Sequence, residues 1–174
     1  MYTKQKHNVF ISFYHADDQK YKNYIDKFLS KNIINKSVVA GEYNPDNSDE
    51  YIKRLIREEK ITSSSVIVVL VGQNTKKRKH VDWEIYAGLD ENINGNSGLI
   101  AVMLPSINKT PNGGYYYRDM PQRLADNVRT GYASIYDWEY AVRNFDKIIE
   151  IAFENRIVKK ALLDNSRKQM RRNL

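Results

Sequence analysis

Unbroken runs of apolar residues constrain the fold of this chain more than any other feature. The run Val66–Val71 (VIVVLV) contains only β-branched residues and leucine, and residues 99–104 (LIAVML) form a second apolar run. Strands without polar alternation are typical of parallel sheets, because helices cover both of their faces. Stretches with a helical period separate these runs. The pattern predicts an α/β, flavodoxin-like fold of three layers, with a central parallel sheet of about five strands and helices on both faces.

The same patterns predict where the elements begin and end. Strands are expected at residues 9–14, 37–40, 66–71, 99–104 and 133–136. Helices are expected from about residue 17, from about residue 48, over residues 80–91 and over residues 141–153 with a continuation to 163. Residues 105–131 are predicted to form a long loop, in which residues 122–127 can form a helical turn.

Length and charge define the domain and its expected surroundings. The 174 residues suit one domain, with residues 1–155 as its body and residues 156–174 as a basic, helical C-terminal extension of the same domain. The formal net charge is +7, but the extension carries seven basic residues and one acidic residue, so the body is nearly neutral. The charge is therefore weak support for a nucleic-acid partner, and it would act through the extension alone.

Several classes of site are excluded or unsupported by the residues present. The chain has no cysteine, which excludes disulfides and thiolate-bound metals, and its three histidines lack the spacing of metal ligands. No apolar run approaches the length of a membrane span, and the first residues lack the apolar stretch of a signal peptide. We therefore expect no metal, no membrane partner and a cytoplasmic location.

The carboxyl ends of the predicted strands indicate where a ligand would bind. In open parallel sheets the ligand site lies outside these ends, at the point where the strand order reverses. Residues 14–18, 41–47 and 72–84 are expected to meet there. The chain lacks the glycine-rich motifs that bind dinucleotides or nucleotide phosphates, and no acidic residue follows strand 66–71 as it would in a phospho-accepting receiver domain.

Glu84 is the strongest candidate for a reacting group at this site. It lies in the predicted helix 80–91 between Val81 and Ile85, which places it at the margin of the apolar face. Partial burial raises the pKa of a carboxyl group. A single carboxylate suits the cleavage of a glycosidic bond, in which it stabilises an oxocarbenium-like transition state. The alternative is a solvent-facing helical glutamate, and spacing alone favours that alternative.

Two segments of the chain resemble the TIR-domain family. Residues 8–13 (NVFISF), followed by Asp18, resemble the first-strand box of the family. Residues 66–72 (VIVVLVG) and 79–87 (KHVDWEIYA) resemble the segment that carries its catalytic glutamate. The resemblance covers roughly residues 7–155 and is nearest to the small, signal-producing TIR-like subunit of the bacterial Thoeris antiphage system.

The resemblance implies an enzyme that consumes NAD⁺ as its substrate and needs no cofactor. Glu84 would be the catalytic residue that breaks the bond between nicotinamide and ribose. The remaining ADP-ribose would be cyclised into a signal that activates a partner effector, itself an NADase, in antiphage defence. Association into a homo-oligomer is compatible with the family.

The resemblance also implies substrate-binding residues after the first strand. Phe13, Tyr14 and His15 occupy the place where aromatic residues pack near the nicotinamide and its ribose. Asp18 would orient the loop or contact the substrate, although a carboxylate at a helix start is the more ordinary explanation. Ser12 is expected to face the core of the sheet and to hydrogen-bond with the backbone.

Two further candidates lie in the other segments of the expected site. His80 stands where many members of the family carry a tryptophan, four residues before the glutamate, and could stack on a base or bind phosphate when protonated. Asn44 is a candidate for a ribose contact or for self-association. Tyr115, Tyr116 and Tyr117 could stack on adenine, and an ordinary surface loop is an equal alternative.

Two other functions stay open at this point. One is a non-catalytic TIR-like adaptor that acts by homotypic association, for which Glu84 would be dispensable. The other is an enzyme similar to nucleoside deoxyribosyltransferases, which would exchange bases on deoxynucleosides and would not use NAD⁺.

Overall fold

Parallel strands of apolar residues form the centre of the molecule. The computed structural model describes residues 5–37, 51, 55, 60–91 and 94–174. Within this part of the chain the sheet has five strands, in the order β2-β1-β3-β4-β5, and all neighbouring strands are parallel. The strands are β1 (His7–Ser12), β2 (Ile33–Asn35), β3 (Val66–Val71), β4 (Gly98–Met103) and β5 (Ser134–Asp137). The flavodoxin-like α/β fold is confirmed.

Helices cover both faces of this sheet. They are α1 (His15–Tyr24), α2 (Lys79–Leu89), α3 (Gln122–Thr130), α4 (Trp138–Arg143) and α5 (Phe145–Val158). A π-helical turn (Ile25–Leu29) and a 3-10 turn (Ser30–Asn32) continue α1 towards β2. No helix among the described residues is long and apolar enough to cross a membrane.

Alternate residues of each strand build two separate cores. On one face, the strand residues pack against α2 and α3; on the other, they pack against α1, α4 and α5. The first core includes Phe10, Ile67, Val69, Val71, Val81, Ile85 and Leu124. The second includes Val9, Ile11, Val66, Val68, Leu70, Ile25, Phe145 and Ile148. Burial on both faces explains why β3 and β4 contain no polar alternation.

The second strand lies earlier in the chain than predicted. β2 is Ile33–Asn35, and Ile33 pairs with His7 of β1. Ser37 lies beyond the end of β2, where its hydroxyl accepts a hydrogen bond from the Ile11 N–H. Residues 38–40, the rest of the predicted strand, lie outside the described residues. In the predicted second helix, Tyr51 and Leu55 are helical and the residues between them are not described.

The predicted long loop contains a complete helix. α3 (Gln122–Thr130) is longer than the predicted turn, and Gly131, at a φ of +84°, ends it in the left-handed conformation that glycine adopts readily. The helix was difficult to predict because Arg123 and Asn127 are buried on its inner side together with Leu124. A buried arginine interrupts the apolar periodicity on which the sequence argument rests.

Most of the C-terminal extension is not helical, contrary to the prediction, and only its first residues belong to α5. α5 ends at Val158, Lys160–Leu162 forms a 3-10 turn, and residues 163–174 contain no helix. The chain turns back over the domain there, and Met170 and Leu174 donate their backbone N–H groups to acceptors on α2 and just before it. These backbone N–H groups therefore find their hydrogen-bond acceptors in tertiary contacts and not within a helix.

We expect Gly98→Ala to destabilise the protein by about 1–3 kcal/mol, because the strand and α5 approach too closely for a side chain. A Cβ on Gly98 would lie 2.6 Å from the carbonyl carbon of Ala152. Urea unfolding measures the effect. Gly114→Ala is the control, since within the described part of the chain its Cβ would meet only the Thr110 hydroxyl oxygen, at 3.6 Å. Equal unfolding free energies for the two variants would contradict the close packing of α5 on β4.

Candidate functional site

The carboxyl group of Glu84 is buried at the carboxyl end of β1. Ser12 is the last residue of β1, and it faces α2 because it lies two residues after Phe10 on the same face of the strand. The Ser12 hydroxyl donates a short hydrogen bond to Glu84 Oε2. Only 3% of Glu84 is exposed, so the carboxyl is enclosed and not marginal as the spacing suggested. The expectation that Ser12 bonds to the backbone was wrong.

The surroundings of Glu84 favour its neutral form. Burial raises the pKa of Glu84 to about 8, and the hydrogen bond from Ser12, which lowers it, offsets only part of this effect. Across the described ranges of the chain, no Lys, Arg or His forms an ion pair with this carboxyl. A buried carboxyl without a counter-charge holds a proton at neutral pH, or ionises when a cation is placed beside it.

His80 lies one helical turn before Glu84 and on the same side of α2. Its Nε2 lies 3.4 Å from the carbonyl oxygen of Phe13, so it joins α2 to the end of β1. Burial lowers the pKa of His80 to about 4. The imidazole is therefore neutral at neutral pH, which disfavours the suggested binding of phosphate by a protonated ring and leaves stacking on a base as its predicted role.

The aromatic residues after β1 differ in where their rings lie. The Phe13 ring is buried in the core on the opposite face from Glu84, and its centre lies 4.2 Å from that of His15. The Tyr14 ring is partly exposed, and the Arg78 guanidinium carbon lies 3.9 Å from its centre. Burial lowers the pKa of His15, whose ring lies 6.3 Å from that of His80. Substrate contacts of these three residues stay predictions, and Phe13 serves the core here.

Asp18 joins the start of α1 to the loop after β3. It is buried and accepts a hydrogen bond from the Thr75 hydroxyl at 3.3 Å. The Thr75 hydroxyl oxygen in turn accepts from the Gly72 N–H at 2.9 Å, and a Cβ on Gly72 would lie 2.8 Å from Asp18 Cγ. Burial raises the pKa of Asp18 to about 6. Asp18 thus contacts this loop, and its roles in orienting a loop and in binding substrate stay predictions.

Two of the three predicted segments meet at this edge of the sheet. Residues 14–18 and 72–84 are joined by the hydrogen bond from Thr75 to Asp18 and by a 2.7 Å hydrogen bond from Asn74 to Asp17. Glu84 and His80 contact Ser12 and Phe13, which directly precede the first segment. Asn44 and the rest of residues 41–47 lie outside the described residues. Tyr115 and Tyr117 instead line a groove of about 470 Å³ beside β5, which β3 and β4 separate from β1.

A buried ion pair lies next to Glu84 and was not predicted from the sequence. Asp82 and Arg123 are both buried, and Arg123 Nε donates to Asp82 Oδ1 at 2.9 Å. The other oxygen, Asp82 Oδ2, accepts from the Met170 N–H at 2.8 Å. The pair ties α2 to α3 and to the C-terminal residues. Only the position of Asp82 two residues before Glu84 hinted at it, since its partners come from distant parts of the chain.

A family model places the chain among TIR-like proteins. The model of a family described as "Thoeris protein ThsB, TIR-like domain" matches residues 10–109, a span that contains Ser12, Asp18, His80 and Glu84. Among solved structures, the chain is similar to the TIR domains of the activated Roq1 resistosome directly recognizing the pathogen effector XopQ. That similarity has 14% sequence identity and a TM-score of 0.42, and covers 91% of this chain and 86% of that one. A search of curated proteins finds no match.

We expect Glu84→Gln to stabilise the protein, and to do so more as the pH rises. The folded-state pKa of Glu84 is raised to about 8 from an ordinary value of 4.5, so the folded state holds a proton that the unfolded state releases between these values. The stability of the wild-type protein therefore falls as the pH rises from about 4.5 to about 8. The neutral amide of Glu84→Gln does not ionise, so the variant does not lose this stability. The gain is on the order of 1 kcal/mol at pH 5.5 and 4–5 kcal/mol at pH 8.5.

Urea unfolding at the two pH values measures this gain. The matched control is Glu154→Gln, which removes an exposed carboxyl from α5. We expect the control to change stability little at either pH. A gain for Glu84→Gln that is the same at pH 5.5 and pH 8.5 would contradict the raised pKa.

Proposed function

The chain belongs to the Thoeris ThsB TIR-like family, and on that premise we propose that it cleaves NAD⁺ and makes a cyclic nucleotide signal. The bond that breaks joins nicotinamide to its ribose. One observation carries the proposal: the buried carboxyl of Glu84, hydrogen-bonded to Ser12 and without a cationic partner in the described part of the chain. Such a carboxyl group is suited to interact with a cationic ligand, which would supply the missing positive charge.

The charge changes of the reaction fit this carboxyl. The nicotinamide ring of NAD⁺ is a pyridinium cation, and it leaves as neutral nicotinamide with the electron pair of the broken bond. Positive charge then develops on the ribose as an oxocarbenium ion. A carboxylate beside the ribose stabilises that charge, and does so strongly because the site excludes water. The substrate cation itself favours the ionised form of Glu84 and so prepares the group for the step.

The second half of the proposed reaction closes the ring. A hydroxyl oxygen of the adenosine ribose bonds to the anomeric carbon of the oxocarbenium ion, and the hydroxyl proton is released to solvent. Attack by water instead would give linear ADP-ribose. NAD⁺ is the substrate in this scheme and no cofactor takes part. The cyclic product would then activate a separate effector NADase, so the two proteins are partners through the signal, within the bacterial cytoplasm.

We expect Glu84→Gln to reduce nicotinamide release from NAD⁺ by at least about 100-fold, because the amide cannot supply the negative charge. Glu154→Gln is the control and should retain wild-type activity, since its carboxyl is exposed on α5. Chromatography of nicotinamide, and mass spectrometry of the nucleotide product in phage-infected cells, measure both halves of the reaction. Release of nicotinamide by Glu84→Gln at the wild-type rate would contradict the role of Glu84. If neither the wild-type protein nor a variant releases nicotinamide, the result would support an adaptor.

We expect kcat/KM for NAD⁺ to rise with pH and to level off above about pH 8. The free enzyme must lose a proton from Glu84 before it can stabilise the oxocarbenium ion, and burial raises the pKa of that group to about 8. The midpoint for kcat should lie at lower pH, because the bound cation favours the carboxylate. Initial rates between pH 5.5 and pH 9 measure both profiles, and a kcat/KM that falls with rising pH would contradict an ionised Glu84.

A further inference from the structure

The last residues of the chain run along the outer side of α2, the helix that carries Glu84. We call residues 165–174 the C-terminal strap. At one end, Asn165 Nδ2 donates to the carbonyl of Tyr86 at 3.1 Å. At the other, the Leu174 N–H donates to the carbonyl of Lys77 at 3.0 Å. The strap therefore runs antiparallel to α2, from its last turn back to the residues that precede it.

The middle of the strap holds the two residues before Glu84. The Met170 N–H donates to Asp82 Oδ2 at 2.8 Å, and the Met170 carbonyl accepts from Trp83 Nε1 at 2.8 Å. Both Asp82 and Trp83 are buried. One residue of the strap thus contacts two consecutive side chains of α2 through its backbone, one as a donor and the other as an acceptor.

The strap also supplies a cap that the helix itself lacks. Arg78 occupies the N-cap position of α2, and its side chain makes no capping hydrogen bond. The first backbone N–H groups of a helix need acceptors from outside the helix. Asn173 Oδ1 accepts from the Lys79 N–H at 2.9 Å, 94 positions away in sequence. Asparagine is a common capping residue, and here it caps a helix from the far end of the chain.

The strap is itself anchored on α3. Arg167 donates to both carboxylate oxygens of Asp126, at 2.6 Å and 2.9 Å. Arg123 of α3 donates to Asn165 Oδ1 at 2.9 Å. Because α3 holds the strap, displacement of the first turns of α2 would break the contacts of α2 with a segment that is fixed elsewhere.

We propose that the C-terminal strap is a positioning element that keeps Glu84 against Ser12, with Asn173 as its principal side chain. Ionisation of a buried carboxyl draws it towards water, and α2 must shift from the sheet for the Glu84 carboxyl to follow. Contacts on the outer side of α2 oppose that movement. The activity part of this inference rests on the proposed function, whereas the positioning of α2 can be measured without it.

The test uses substitutions in the full chain. Asn173→Ala removes the acceptor of the Lys79 N–H, Asn173→Asp keeps one, and Trp83→Phe removes the indole N–H while retaining a ring. Arg172→Gln is the matched control, since it changes an exposed strap residue next to Asn173. Hydrogen exchange of the amides of residues 79–84 and the ¹³C titration of the Glu84 carboxyl report on the position of α2.

We expect Asn173→Ala and Trp83→Phe to speed the exchange of these amides by roughly fivefold, the effect of a lost cap or hydrogen bond. The titration midpoint of Glu84 should move to lower pH as water reaches the carboxyl. Asn173→Asp should restore the wild-type values, and Arg172→Gln should keep them. If the enzyme is active, kcat of Asn173→Ala and of Trp83→Phe should fall by a larger factor than KM rises. The pH profile of kcat/KM should shift together with the titration midpoint of Glu84.

Two failures can be told apart. If wild-type protein never releases nicotinamide, in vitro or in infected cells, the proposed function fails, and exchange and titration still decide whether the strap positions α2. If Asn173→Ala and Trp83→Phe match the wild type in exchange and in titration, the positioning role of the strap is overturned, whether or not the protein is active. Loss of kcat that Asn173→Asp does not restore would also overturn the role of Asn173.

Discussion

The burial of the Glu84 carboxyl against Ser12 is the interaction on which the site depends. An ionised carboxyl in this position is unfavourable, because the Ser12 hydroxyl replaces only part of the water that the group has lost. α2 must therefore stay docked on the sheet while it carries a group that favours water. Val81 and Ile85 hold the helix to the apolar face of β1 and β3, and supply the burial that offsets this tendency.

Two carboxyl groups on α2 differ in whether the protein supplies a partner for their charge. The Arg123 guanidinium donates to both oxygens of Asp82, and the Met170 N–H also donates to Oδ2, so the charge of Asp82 is compensated within the protein. Glu84, two residues later, has only a hydroxyl among the described residues. The first arrangement stabilises the contact between α2, α3 and the C-terminal strap. The second leaves a carboxyl whose charge is best compensated by a ligand, and this difference separates a structural acid from a candidate catalytic one.

Much of the fold was accessible from the sequence because apolar runs reflect burial directly. The runs at β3 and β4 predicted a parallel sheet, and that prediction is confirmed. β2 was misplaced because a strand of three residues at the edge of the sheet carries too little pattern to define its ends. The length of α3 was predicted too short because an arginine in the sequence suggests a surface position, whereas Arg123 is buried. Each error occurs where burial depends on a partner elsewhere in the chain.

The sequence by itself determined the parallel sheet, the helix that carries Glu84 and the edge at which a site forms, because these follow from the spacing of apolar side chains. The tertiary structure decided which atoms meet. Ser12 reaches Glu84 across 72 positions, Asp82 meets Arg123 across 41, and Lys79 is capped by Asn173 across 94. A hydrogen bond between distant residues leaves no periodic trace, so the enclosure of Glu84 and the path of the C-terminal strap became visible only in the folded chain.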